Sequence, residues 1–187
     1  VRGEWCDDER YALLRHDLRS WRNRPRAAPT TVELLPITAS SVRDVARLEV
    51  HPTQRRFVAT VAESFGDALA PEPMHGTPVT AWYCAVSADG ELAGFVMLAE
   101  TGGVHPPWLW RLLVDRRHQD RGIGRRVVEL IAERARSQGA QVLATSYVDR
   151  PGGPADFYRR LGFVPTGEYD EGEVVAHLDL TRPTPDT

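Results

Sequence analysis

The sequence predicts an α+β fold: one mixed, largely antiparallel sheet of about six or seven strands with helices packed on it. Three observations carry this. β-type runs and helix-periodic segments follow one another in the order β-α-α-β-β-β-α-β-α-β-β. Two pairs of strand-like runs are joined by Asp89-Gly90 and by Asp170-Glu171-Gly172, which suit hairpins. One run, "PPWLWRLLVD", is apolar on nearly every residue toward its end, as in a strand covered on both faces. With 187 residues, 42% of them hydrophobic, the chain is long enough for one domain with a real core and an appendage.

Residues 1–30 read as that appendage. In "DDERYALLRHDLRSW", Tyr11, Leu14, Leu18 and Trp21 recur at three- to four-residue steps and predict an amphipathic helix. "RNRPRAAPTT" is then a linker broken by Pro25 and Pro29. The main domain runs over 31–187. "VELLPI" opens it as a strand, and Ser40–Ser41 caps a helix running through Glu49. Phe57, Val61, Phe65 and Leu69, at steps of four, predict a second helix facing a core. The strands "TAWYCAVS" and "ELAGFVMLAE" follow, then the buried run ending at Val114. A helix from about Gly122 to Gln138 is stopped by Gly139. "AQVLATSYV" is a strand and "GPADFYRRLG" a short helix closed by Gly162. "FVPTGEY" and "EVVAHLDLT" make the last hairpin.

Composition excludes several classes. No apolar run approaches the roughly 20 residues that span a bilayer, and no signal-peptide layout opens the chain, so a cytoplasmic protein is expected, away from membranes. A formal net charge of −3 argues against nucleic acid as a partner. Cys6 and Cys84 are far apart and form no metal spacing, so no metal is expected. All 23 basic residues are arginine. Without lysine, Schiff-base chemistry and a Walker-type phosphate lysine are ruled out.

The chemistry concentrates in "RRHQDRGIGRR", residues 116–126, between the buried strand and an amphipathic helix. Gly122 and Gly124 remove side chains where the helix begins, so backbone N–H groups face outward together beside the positive end of the helix dipole. Arg121, Arg125 and Arg126 add charge, and a pyrophosphate suits the loop. Only G-x-G of the dinucleotide fingerprint G-x-G-x-x-G is present, so that motif is excluded.

Gln119-Asp120-Arg121-Gly122-Ile123-Gly124 resembles the acetyl-CoA-binding pattern Q/R-x-x-G-x-G/A of the GNAT N-acetyltransferases. "FYRRLGF", residues 157–163, resembles the second signature of the same superfamily at the expected separation, and the element order over 32–181 is similar too. The resemblance implies a GNAT fold, an acyltransferase activity and acetyl-CoA as co-substrate. It implies that the strand carrying Leu112, Leu113 and Val114 splays from its neighbour and pairs its backbone with the pantetheine arm. The loop from Asp120 to Arg125 would wrap the pyrophosphate, and Tyr158 would give a proton to the departing thiolate. One departure stands out. Many members carry an asparagine seven residues before this tyrosine, where this chain has Pro151, and an alanine where it has Pro154.

The acceptor is less sharply written. GNAT chemistry needs an amine that loses a proton, and Glu49, Glu100, Glu168 and Glu173 are the candidate helpers, Glu100 foremost because it ends a strand near the expected approach. "LEVHPTQRRFVATVAESFGDAL", "PWLWRLLVD" and "TGEYDEGEVVAHLDL" resemble bacterial spermidine/diamine N-acetyltransferases. That resemblance implies a small-molecule amine, foremost a polyamine, in an acidic pocket built from Glu49, Glu168, Asp170, Glu171 and Glu173. Aminoglycosides, amino acids and protein N-termini are the alternative acceptors, and a non-catalytic acetyl-CoA-binding regulatory module is the alternative class. Edge strands near the C-terminus are placed to pair across a homodimer.

Overall fold

The computed structural model describes residues 24–181, so the expected helix around Tyr11–Trp21 lies outside the described residues. The sheet has seven strands in the order β1-β2-β3-β4-β5-β7-β6. These are β1 (Val32–Leu35), β2 (Thr80–Ala88), β3 (Glu91–Glu100), β4 (Trp108–Val114), β5 (Val142–Tyr147), β6 (Val164–Asp170) and β7 (Glu173–Asp179). Four helices join them: α1 (Val42–Val45), α2 (Val61–Leu69), α3 (Ile123–Ser137) and α4 (Ala155–Arg160). The β4–β5 pair is parallel and the remaining neighbours are antiparallel. A parallel pair needs a crossover, which α3 provides.

Both turn signals form the predicted hairpins. Asp89 and Gly90 have φ of 51° and 82°, and Glu171 and Gly172 have 49° and 86°, the left-handed pairs that match strand twist. β3 and β4 approach so closely that a Cβ on Gly94 would lie 2.4 Å from the Leu113 carbonyl oxygen, so this strand position requires glycine. The β3–β4 register steps from Met97↔Arg111 to Leu98↔Leu109, leaving Trp110 as an extra residue in β4.

The sheet buries both faces. On one lie Val127, Ile131, Leu143, Tyr158 and Phe163, under α3 and α4. On the other lie Val45, Leu48, Val61, Phe95 and Leu113, under α1 and α2. This two-sided burial explains why "WLWRLLV" reads as continuously apolar.

Two helices are shorter than their periodicity predicts. α1 stops at Val45 instead of Glu49, because the chain beyond it is drawn out against the segment after β4. The Glu49 N–H donates to Asp115 Oδ2 at 3.2 Å, and the Arg116 N–H donates to the Glu49 carbonyl at 2.7 Å. α2 begins at Val61, after Phe57, because Thr60 and Glu63 close a capping box: the Glu63 N–H donates to Thr60 Oγ1 and the Thr60 N–H to Glu63 Oε2. Leu69, read as core-facing, is 88% exposed. Residues 27–31 of the expected linker are fastened to the domain. The Thr30 and Thr31 amides donate to Asp89 Oδ1 at 2.8 and 2.9 Å, and Arg121 Nε donates to the Ala27 carbonyl at 2.7 Å.

Candidate active site

β4 and β5 pair at Trp108↔Ala144 and Leu109↔Thr145 and then part, and the extra residue Trp110 falls at the point of divergence. A cleft of about 1180 Å³ opens there. One side of it is formed by Leu112, Val114, the loop from Gln119 to Arg125 and the α4 residues Phe157 and Tyr158. The other is formed by residues 54–60 with Glu63, by Trp110 and Arg111, and by Ser146 and Glu173. The Gly152–Pro154 turn closes one end.

The loop side follows from local backbone chemistry. Asp120 and Gly122 take left-handed φ of 63° and 78°, and the Arg126 N–H closes the first helical bond onto the Gly122 carbonyl. The first-turn amides of α3, which have no partner inside a helix, therefore collect at the cleft. Arg125 lines the cleft and forms no ion pair with a described residue. Gln119 Nε2 donates to the Val114 carbonyl at 3.0 Å and to Gln54 Oε1 at 2.8 Å, tying the loop to β4 and to the opposite side.

Other loop residues act differently from the sequence reading. Arg121 points away from the cleft: 5% of its side chain is exposed, and Nη1 donates to His118 Nδ1 at 2.9 Å while Nη2 lies 3.7 Å from Asp89 Oδ2. Because arginine only donates, His118 Nδ1 must accept, which requires the neutral ring. Burial pushes the His118 pKa down in agreement, against the opposing pull of Asp115. Arg126 pairs with Glu129 and Glu133 along α3, outside the cleft. Leu113 buries its side chain in the α1–α2 core. Gly124 was read as an opening for an anion, but a Cβ there would meet the Phe157 ring at 3.2 Å, so it also lets α4 pack on α3. Ile123 is buried beneath the loop.

Tyr158 sits at the base of the divergence. Its ring stacks on Tyr147 with centroids 5.3 Å apart and meets Phe157 and Phe163 edge-on. Burial, reinforced by the Glu173 charge, pushes the phenol up to about 12 against a hydrogen bond with Thr145. The phenol is fully protonated at neutral pH, the state in which an acid must start. Pro154 takes the N-cap of α4, and the Pro151 carbonyl accepts from Arg56 Nη2 at 3.1 Å.

Of the candidate carboxylates, Glu173 alone lines the cleft, where Ser146 Oγ donates to its Oε2 at 2.7 Å. Glu100 is engaged by Arg134, whose guanidinium covers Trp82, and it is not brought to the cleft. Glu49 lies outside it with Arg55 and Arg116. Glu168, Asp170 and Glu171 belong to the exposed β6–β7 hairpin, away from the lining. The sequence reading missed Glu63, Arg111 and Ser146. A charge in "WLWRLLV" and the Thr60-x-x-Glu63 spacing were available signals. Glu63 is committed to its cap, and hydrogen bonds from the Thr60 N–H and hydroxyl hold its carboxyl below the usual range. Among the described residues no group of His, Cys, Asp and Glu is placed to hold a metal.

Residues 54–163, more than half of the chain, match the family described as Acetyltransferase (GNAT) family. The chain belongs to this family. The acetyltransferase resembles solved structures at low identity, which shows the shared fold. The PaiA N-acetyltransferase of Thermoplasma acidophilum, in complex with coenzyme A, is 15% identical with a TM-score of 0.56, over 80% of this chain and 99% of that one. The N-acetylglutamate synthase of Neisseria gonorrhoeae, complexed with coenzyme A and N-acetyl-glutamate, is 17% identical with a TM-score of 0.60, over 82% and 36%. The ribosomal-protein-S18-alanine N-acetyltransferase of Escherichia coli is 14% identical with a TM-score of 0.57, over 80% and 94%. No curated protein matches the chain by sequence. No helix among the described residues is long and apolar enough to cross a membrane.

Proposed function

We propose that this acetyltransferase moves the acetyl group of acetyl-CoA to a primary amine of a small molecule by direct attack in a ternary complex. The observation that carries the reading is the divergence of β4 from β5, with an anion-ready helix terminus on one side and Glu173 on the other. The pyrophosphate binds the first-turn amides of α3 with Arg125 as countercharge. The pantetheine arm runs along β4 past Leu112 and Val114, whose backbone groups are not paired to β5. This carries the thioester to the base of the divergence.

There the amine nitrogen attacks the thioester carbon. A C–N bond forms, the carbonyl becomes an oxyanion, and the amine proton passes to Glu173 directly or through one water. Collapse breaks the C–S bond, and the sulfur takes its proton from the Tyr158 hydroxyl, which recovers one from solvent. The products are the N-acetyl amide and free CoA. Tyr158 meets the protonation requirement, because its high pKa keeps the proton in place until a thiolate forms.

Of the five carboxylates expected to make a polyamine pocket acidic, Glu173 reaches the cleft. Spermidine therefore enters the test beside other amines. The test is calorimetry with acetyl-CoA followed by a free-CoA release assay over polyamines, amino acids and an aminoglycoside. The expected result is binding followed by amine-dependent release. Binding without release on any amine favours the regulatory module, and absence of binding overturns the reading.

A further inference from the structure

Resting on the transferase reading, we infer that the acceptor is a small amine that also carries a carboxylate, and that Arg111 holds the carboxylate. Arg111 follows the extra residue Trp110 in β4, at the point where β4 leaves β5. Its side chain reaches Asp67 of α2, so it lies on the α1–α2 face of the sheet. Ser146 shares that face, because Leu143 and Tyr147 on the alternate positions of β5 belong to the opposite core. Glu173, bonded to Ser146, stands with it. The cleft thus has a cation on its β4 arm and an anion on its β5–β7 arm.

The guanidinium is incompletely used. Nη1 donates to the Trp110 carbonyl at 2.8 Å and Nη2 to Asp67 Oδ2 at 3.0 Å, while Nε is buried with no hydrogen-bond partner. The buried Nε is an unmet donor on a cation, and the 23% of the side chain that is exposed belongs to its other atoms. Nη1 and Nη2 each keep a second N–H, and together they form the end of a planar fork whose geometry matches the two oxygens of a carboxylate. Asp67, 40% exposed, already places a carboxylate oxygen against Nη2 and shows that this end of the guanidinium pairs with one. Glu63, the nearby acid of the cleft, feels the Arg111 charge but spends its hydrogen bonds on Thr60. An amine with a carboxylate brings the complementary pair of charges, its ammonium toward Glu173 and its carboxylate toward Arg111. A polyamine offers nothing to Arg111 and sets a second ammonium against it.

The experiment measures CoA release from acetyl-CoA with matched pairs: leucine and leucinamide, lysine and 1,5-diaminopentane, with spermidine alongside. The acid of each pair is expected to exceed its carboxylate-free partner by about tenfold or more in kcat/KM, through KM. Arg111→Gln is expected to bring that ratio toward one, and Arg111→Lys to retain part of it. Were Arg111 only a strut between β4 and α2, Arg111→Gln would move Tm and leave the ratio alone. Asp67→Asn, at an exposed site, removes the competing negative charge from Nη2 and is expected to raise the ratio; a lowered ratio overturns the inference. So does a preference for the carboxylate-free partner, or an acid preference that survives Arg111→Gln. Release with spermidine alone overturns this inference and leaves the transferase reading standing, whereas no release with any amine overturns both.

Discussion

The two sides of the cleft are built in opposite ways. The side proposed to hold the cofactor is one continuous stretch, from Leu112 through the loop into α3, with α4 folded onto it. Its anion-binding capacity belongs to backbone amides at a helix start, and side chains mostly brace it: Gln119 ties it to β4 and Arg121 to residues 27 and 118. The side proposed for the acceptor is assembled from distant pieces, residues 54–60 with Glu63, 110–111, 146 and 173. Its capacity belongs to the side chains Arg111 and Glu173, each held by a partner from elsewhere in the chain, Asp67 and Ser146. A side made of backbone tolerates changes of side chain, and a side made of side chains does not.

Tyr158→Phe is the sharpest way to probe the base where the two sides meet. It keeps the stack on Tyr147 and removes the hydroxyl, so kcat is expected to fall about 100-fold with the KM for acetyl-CoA nearly constant. Steady-state kinetics with one responsive amine reads this, and an unchanged kcat removes the acid role. The same phenol, at about 12, predicts that no alkaline loss of rate below pH 11 comes from its ionisation.

The bracing of the loop is tested by Arg121→Met. It leaves the Ala27 carbonyl and His118 Nδ1 without their donor and is expected to cost about 2 kcal/mol, read as a lower urea midpoint. If Arg121 instead held the pyrophosphate, the main loss would appear in acetyl-CoA affinity. Arg125→Gln should show that other pattern, a rise of about tenfold in the KM for acetyl-CoA that shrinks in high salt, with stability intact.

His118 carries the smallest expected effect. Its folded pKa lies below the unfolded value near 6.5, so the unfolded chain takes up the proton first as pH falls. The stability it supports is fully present above about pH 6.5 and is lost as pH drops through its folded pKa. A urea series from pH 7.5 to 5 is expected to slope less in His118→Gln than in the parent; equal slopes assign the acid sensitivity to other groups.

Much of this was legible in the residues alone. Asp89-Gly90 and Glu171-Gly172 announced their hairpins because left-handed φ is a local demand. The G-x-G loop and "FYRRLGF" marked the family because a helix terminus is a local object as well. Glu100 and Glu49 misled because a carboxylate's availability depends on its partners, and Arg134, Arg55 and Arg116 are remote or folded back in ways spacing does not encode. Arg121 misled for the same reason: its charge looked free in the motif and is buried against Ala27 and His118.

By itself, the sequence determined the order of strands and helices, their turns, the family and the glycine loop that opens α3, since all of these follow from backbone preferences and short-range periodicity. Tertiary structure alone decided where α1 ends, which charges are already paired, and that Arg111 and Glu173 face one cleft across diverging strands. Those outcomes depend on which distant atoms share a few ångströms of space, because hydrogen bonds and close ion-pair contacts form only at that distance.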